Sequence, residues 1–122
     1  MLHSDLTEKI IGAFFKVNKV LGYGFLEKVY ENAMKIELEH LGLNVQQQKN
    51  IKVYYENKIV GEYYADLLVN DLVIIELKAA VSLCEEHEAQ LINYLKATDI
   101  EVGLLLNFGK KAEFKRKIFC NH

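Results

Sequence analysis

The sequence has no proline, no glycine/serine-rich linker and no internal repeat, so nothing in it marks a boundary between domains. Its two cysteines, Cys84 and Cys120, are too few for a disulfide scaffold. No apolar run approaches the roughly 20 residues that a membrane-spanning helix needs. The first residues also lack the basic and apolar regions of a secretory signal. These absences predict a single cytoplasmic domain over residues 1–122, with no membrane partner.

The composition favours a compact folded chain. Of its 122 residues, 51% are hydrophobic and 11% are aromatic, whereas the formal net charge is only −2. A chain of this size and composition can bury a real core and has little reason to stay disordered. Its basic residues are unevenly spread, and positions 110–117 suit either phosphate contacts or a solvated terminal helix. That cluster consists of Lys110, Lys111, Lys115, Arg116 and Lys117.

Hydrophobic periodicity predicts an α/β domain. Apolar residues three and four positions apart indicate helices, and alternating or continuous apolar runs indicate strands. The second helix is expected to bury Leu26, Val29, Tyr30, Ala33 and Leu41. Ser82 is a plausible N-cap for the third. In chain order, the expected elements are helices at 5–21 and 25–41, strands at 51–55, 59–69 and 73–78, a helix at 82–98, a strand at 102–108 and a short basic helix.

Charged residues within the expected central strands are candidates for chemistry. Glu76 and Lys78 point to one face of their strand, because side chains alternate along it. Whether Asp66 joins them depends on the hairpin turn. A loop centred on Asp71 puts Asp66 opposite Glu76, whereas a regular two-residue loop at Asn70–Asp71 puts it on the other face unless a bulge intervenes.

Two adjacent carboxylates repel each other, and something must offset that repulsion. One solution is a structural ion pair with Lys78. The other is a divalent cation, since hard oxygen ligands suit magnesium or manganese. The two are compatible if the lysine lies beside the metal and orients a water molecule.

In context, these residues resemble the PD-(D/E)xK nuclease superfamily and, within it, the GxxExxY protein family. The resemblance covers roughly residues 5–119. It implies a restriction-endonuclease-like core of a helix, a three-stranded meander, a helix and a strand, with an extra N-terminal helix and a mixed sheet flanked by helices. The matching segments are Gly24–Tyr30, Ala65–Val69, Glu76–Ala79, His87–Lys96 and Gly103–Gly109.

The resemblance also implies roles for individual residues. Asp66, Glu76 and Lys78 would be catalytic. Asp66 and Glu76 would bind Mg²⁺ or Mn²⁺, with the Leu77 carbonyl and the Glu27 carboxylate as further ligands, and Lys78 would position the attacking water. Glu27 also suits a first-turn acid that complements the helix dipole.

Other positions are expected to flank the cleft or bind the substrate. Tyr30, His87, Gln90 and Tyr94 would flank the cleft, although His87 also suits a solvated helix start and Tyr94 a core aromatic. The cluster at 110–117 is the candidate nucleic-acid-binding surface.

The expected function is phosphodiester hydrolysis of DNA, or of RNA. The alternatives are a non-catalytic nucleic-acid- or protein-binding module that retains the fold, and a structural domain whose charges pair without metal. The small size favours a homodimer, because one copy offers little surface for gripping a duplex.

Overall fold

The computed structural model describes residues 2–120, which form three helices and five strands. The first seven elements follow the predicted order, and the eighth is a strand where a helix was expected. No helix within residues 2–120 has the length and apolarity to cross a membrane. The elements are α1 (Ser4–Leu21), α2 (Glu27–His40), β1 (Val45–Tyr55), β2 (Lys58–Val69), β3 (Val73–Lys78), α3 (Glu85–Lys96), β4 (Val102–Phe108) and β5 (Ala112–Ile118).

The five strands form one mixed sheet in the order β1-β2-β3-β4-β5. The first three are antiparallel neighbours, β4 runs parallel to β3, and β5 is antiparallel to β4. Helices α1 and α2 contribute to one apolar core, and α3 contributes to a second core. Because residues of β3 and β4 belong to both cores, these strands are apolar on both faces. The expected α/β fold class is confirmed.

The C-terminal segment is a strand, and the prediction of a short basic helix there is wrong. Its pairing with β4 runs from Phe108↔Ala112 to Val102↔Ile118. The connection between the two strands is short, so the chain returns directly along β4. Without β5, the outer edge of the buried strand β4 would present unpaired backbone groups, and pairing satisfies them.

Helix α2 is rotated relative to the expected orientation. Leu26 precedes the helix and is 81% exposed, and Val29 and Leu41 are exposed too. Tyr30 is buried as expected, and the other buried positions are Glu31, Met34 and Leu38. The rotation therefore carries a carboxylate into the protein interior.

Tyr30 explains this orientation of α2. Its ring stacks on Phe108 with centroids 4.3 Å apart. Its hydroxyl donates a hydrogen bond to the Gly22 carbonyl at 2.7 Å and accepts one from the Phe25 N–H at 3.2 Å. The side chain therefore anchors α2 to the sheet and holds the connection from α1, where Gly24 has a φ of 109° that favours glycine.

The β2–β3 turn decides which face Asp66 occupies. Leu67 pairs with Ile75 and Val69 with Val73, so the loop is centred on Asp71. Asn70 and Asp71 have φ values of 52° and 56°, a left-handed conformation that Asn and Asp tolerate better than most residues. Of the two registers left open by the sequence, the structure has the one that places Asp66 opposite Glu76.

Candidate active site

The two carboxylates lie where β2 and β3 separate. Backbone pairing between these strands ends at Leu67↔Ile75. Beyond that point, the Leu77 N–H donates to Asp66 Oδ2 at 2.8 Å, and the Asp66 N–H donates to Glu76 Oε1 at 3.1 Å. Each carboxylate thus accepts a hydrogen bond from the backbone of the opposite strand, and this exchange holds both side chains at the opening.

Burial makes this pair electrostatically unfavourable when both groups are charged. Burial, followed by the charge of Asp66, raises the pKa of Glu76 to about 9. Burial also raises the pKa of Asp66, and the charge of Glu31 adds to that effect, whereas the hydrogen bond from Leu77 opposes it. At neutral pH without a cation, Glu76 therefore keeps its proton.

Glu31 is a third carboxylate near the pair, and the sequence analysis did not single it out. It is only 4% exposed. Gln47 Nε2 donates to its Oε2 at 2.7 Å, Gln48 Nε2 donates to its Oε1 at 2.9 Å, and Lys28 Nζ lies 2.9 Å from Oε2. These donors allow a carboxylate to remain buried on α2.

Gln48 connects Glu31 to Asp66. Its Nε2 also lies 3.5 Å from Asp66 Oδ1, at the outer limit of a hydrogen bond. Gln48 has a φ of 52°, which is unusual for a residue within a strand. The local change in backbone direction lets two consecutive side chains, Gln47 and Gln48, both reach Glu31.

Glu27, the helix carboxylate singled out from the sequence, is the first residue of α2 and is exposed. Glu31 lies one helical turn later, on the buried side of α2 together with Tyr30 and Met34. The sequence signal for Glu31 was its spacing of four residues from Glu27, which places the two on neighbouring positions of one helix face. The ligand role of Glu27 stays a prediction.

Lys78 ends β3 beside the carboxylates. Its side chain is half-buried, and its charge lowers the pKa of Glu76, although less than burial and Asp66 raise it. Within residues 2–120, Lys78 makes no ion pair with either Asp66 or Glu76. A simple structural ion pair is therefore not the arrangement seen, and the lysine is available for another anionic group.

The backbone that follows Lys78 is fixed by Asn107, a fully buried residue of β4. Its Oδ1 accepts a hydrogen bond from the Ala80 N–H at 2.9 Å, and its Nδ2 donates to the Ala80 carbonyl at 3.1 Å. A Cβ added to Gly109 would also lie 2.6 Å from that carbonyl, so the segment passes close against the end of β4. This packing holds the end of β3, and with it the backbone that carries Leu77 and Lys78.

Tyr94 and Gln90 of α3 lie on the carboxylate side of the sheet. Burial raises the pKa of Tyr94 to about 12, and the charges of Glu76 and Asp66 add to the effect, which indicates their proximity. Gln90 Nε2 donates to the Tyr94 hydroxyl at 2.9 Å. The cleft-flanking roles of Gln90 and Tyr94 stay predictions.

The other two predicted cleft residues, His87 and Tyr30, make contacts that stabilise the fold. His87 Nδ1 accepts the Cys84 N–H at 3.3 Å in a capping box, so Cys84 and not Ser82 caps α3. His87 also lines a cavity with Gln90 and Tyr94. Tyr30 instead belongs to the core formed with α1 and α2, away from α3.

The basic cluster is divided by its strand. Arg116 donates to the Leu2 carbonyl near α1, whereas Lys117 forms an ion pair of 2.5 Å with Glu88 of α3. Neighbouring side chains of β5 point to opposite faces of the sheet, which explains these separate partners. The two lysines at 110–111 lie in the β4–β5 connection. The five basic residues therefore do not form one continuous patch, and their role in binding stays a prediction.

The donor set suits a divalent metal that retains water ligands. Among residues 2–120, no group of three or more His, Cys, Asp and Glu side chains is arranged to hold a cation by itself. Magnesium commonly uses one or two carboxylates together with waters and substrate phosphates. Asp66 and Glu76 present two carboxylates of this kind, whose mutual repulsion a cation would relieve.

The chain belongs to the PD-(D/E)XK nuclease superfamily, whose sequence profile matches residues 4–117. Enzymes of this superfamily generally use divalent metal ions. No curated protein matches the sequence significantly.

The fold is similar to that of a solved structure entitled "Crystal structure of SSO0001". The TM-score is 0.62 and the sequence identity is 17%. The match covers 97% of this chain and 60% of the other, so this chain spans less than two thirds of that protein's length. At this low sequence identity, the similarity concerns the fold alone.

Proposed function

We propose that this protein is a divalent-metal-dependent nuclease that hydrolyses phosphodiester bonds of DNA, and that it belongs to the GxxExxY branch of its superfamily. The observation that carries the proposal is the pair of Asp66 and Glu76 at the separation of β2 and β3, with Lys78 following on the same strand. The superfamily profile supports a nuclease-type function.

Asp66 and Glu76 would hold the metal, with the Leu77 carbonyl and a carboxylate of α2 as further ligands. A bound Mg²⁺ or Mn²⁺ would polarise a phosphoryl oxygen and lower the pKa of a water molecule. Glu76 would give up its proton on binding, because a cation replaces the proton as the partner of the buried carboxylate.

Lys78 would act on the substrate itself. Since it is not paired with either carboxylate, its ammonium can donate hydrogen bonds to the attacking water and to the phosphate. Negative charge builds on the phosphate oxygens during hydrolysis, and a fixed cation beside them lowers the barrier. Gln90 and Tyr94 would support the same region from α3.

A cleavage panel tests the activity. The panel contains plasmid, linear duplex, branched DNA, single-stranded DNA and RNA. We expect the protein to cut DNA in Mg²⁺ or Mn²⁺ and to lose this activity in chelator. Asp66→Asn should reduce cleavage by about 10²-fold or more, because removing an electrostatic contact to the transition state has effects of that order. Glu8→Gln, at an exposed position on α1, is the matched control.

Cleavage that survives in Asp66→Asn would point to a contaminant and contradict the proposed site. Absence of both cleavage and metal binding would favour the non-catalytic binding module. The proposal also includes a cytoplasmic location and a homodimer. Elution at the monomer mass over a wide concentration range would contradict the dimer.

A second prediction separates Glu27 from Glu31, the two candidate metal-binding carboxylates of α2. Glu31→Gln should weaken Mn²⁺ binding, measured by calorimetry, because Glu31 interacts electrostatically with Asp66. Glu27→Gln should do so less, because Glu27 is exposed at the start of the helix. A larger loss of affinity in Glu27→Gln would assign the ligand role to Glu27, as the sequence motif implies.

A further inference from the structure

An open groove runs between the β1–β2 hairpin and α3. It consists of two adjoining cavities of about 510 and 450 Å³. Both are lined by Val53, Tyr63 and Asn93, so they form one continuous depression. We call it the hairpin–α3 groove.

The inner end of the hairpin–α3 groove lies toward the candidate active site. Gln90 and Tyr94 line that end. The Tyr94 ring lies 5.6 Å from the Tyr63 ring, measured between centroids, and the charges of Glu76 and Asp66 raise the pKa of Tyr94. A chain lying in the groove would therefore approach the carboxylates at this end.

The outer part of the groove has the chemistry of a nucleic-acid site. Tyr54 and Tyr63 are 60% and 48% exposed, which leaves ring surface available for stacking. Lys52 and Lys96 line the same cavity and can contact phosphates. The acidic Glu86 lines the other cavity, together with His87. Positive charge is thus concentrated at the end away from the carboxylates.

We propose that the hairpin–α3 groove binds single-stranded nucleic acid, with bases stacked on Tyr54 and Tyr63 and phosphates near Lys52 and Lys96. Exposed aromatic rings interleaved with lysines are typical of single-strand binding, because an unpaired strand offers its base faces. A duplex keeps those faces inside its own stack. Glu76 is only 5% exposed, so the candidate site is recessed. A flexible single strand reaches a recessed site more easily than a stiff duplex does. The inference rests on the proposed function and names its substrate class.

Binding without metal tests the groove independently of catalysis. We expect fluorescence anisotropy in chelator to show at least about tenfold tighter binding of a labelled oligothymidylate than of a duplex of equal length. Tyr63→Ala should weaken single-strand binding by about tenfold or more, the effect of losing one stacked base. The double variant Lys52→Gln/Lys96→Gln should reduce the slope of log affinity against log salt by about 1.4.

The matched controls are Tyr55→Ala, at the exposed hairpin tip, and Lys9→Gln, on α1. Both should bind like the wild type, and circular dichroism checks that every variant is folded. Equal affinity for duplex, or the same affinity in Tyr63→Ala and Tyr55→Ala, would overturn the inference. Single-strand binding that depends on the groove, without cleavage in any metal, would uphold the inference and reject the nuclease. Cleavage with no dependence on Tyr63 or the two lysines would reject only the groove.

Discussion

Replacing Glu76 by glutamine should stabilise the metal-free protein at pH 8 and abolish the proposed cleavage activity. The pKa of Glu76 is raised from its ordinary value of 4.5 to about 9, mainly by burial and then by Asp66. Between these two values the folded state holds a proton that the unfolded state releases. Stability is therefore lost as the pH rises through this range, by up to about 1.4 kcal/mol for each pH unit. A glutamine keeps the shape of the protonated acid and has no charge to bury.

Urea unfolding in chelator at several pH values from 5 to 9 measures this effect. The free energy of unfolding should fall with pH in the wild type and fall much less in Glu76→Gln. Glu8→Gln, at an exposed position, should follow the wild type. The raised pKa of Asp66 acts in the same direction, so a small slope should remain in the Glu76 variant. Equal slopes in the wild type and Glu76→Gln would show that Glu76 is ionised in the folded protein.

The effect of metal on the unfolding temperature is an independent test of the same variant. Mg²⁺ or Mn²⁺ should raise the unfolding temperature of the wild type, because a ligand that binds only the folded state stabilises it. Glu76→Gln should show little of this increase, since a neutral amide is a poorer partner for the cation. An undiminished increase would place the metal elsewhere on the protein.

Replacing Lys78 by methionine should lower the cleavage rate by about 10²–10³-fold while metal binding is retained, in line with the loss of one fixed group that stabilises transition-state charge. Lys78 lies near Glu76 but pairs with neither carboxylate, so the proposed metal ligands should stay in place. Single-turnover cleavage and Mn²⁺ calorimetry, measured on the same preparation, separate the two effects.

Lys9→Met is the matched control for this substitution, because Lys9 is an exposed lysine of α1. It should cut at the wild-type rate. Unchanged cleavage in Lys78→Met would remove the lysine from the proposed chemistry. Parallel loss of metal binding and cleavage would instead assign Lys78 to the integrity of the metal site.

Most of the fold was predictable because its elements have strong local periodicity. The C-terminal strand was the exception, since the basic residues at 110–117 have no clear apolar period. What makes this segment a strand is the unpaired edge of β4, and only the folded sheet supplies that edge. Non-local pairing therefore overrode a weak local preference.

The candidate site was predictable to the extent that charged residues interrupt apolar strands. Asp66, Glu76 and Lys78 stood out for that reason, but the face occupied by Asp66 depended on a turn whose register the sequence left open. Glu31 was missed because its burial depends on amide donors from Gln47 and Gln48 of another element. Its spacing from Glu27 placed it on the same helix face, but only its hydrogen-bond partners show that it is buried.

The turn centred on Asp71 makes the strand register a determinant of the site. Surface turns usually accept insertions and deletions, because few contacts depend on them. Here three residues separate the paired residues Val69 and Val73, and that pairing keeps Asp66 opposite Glu76. A slip of one residue between the two strands would put the carboxylates on opposite faces. This exposed segment should therefore tolerate any change, in chemistry or in length, that keeps Val69 opposite Val73.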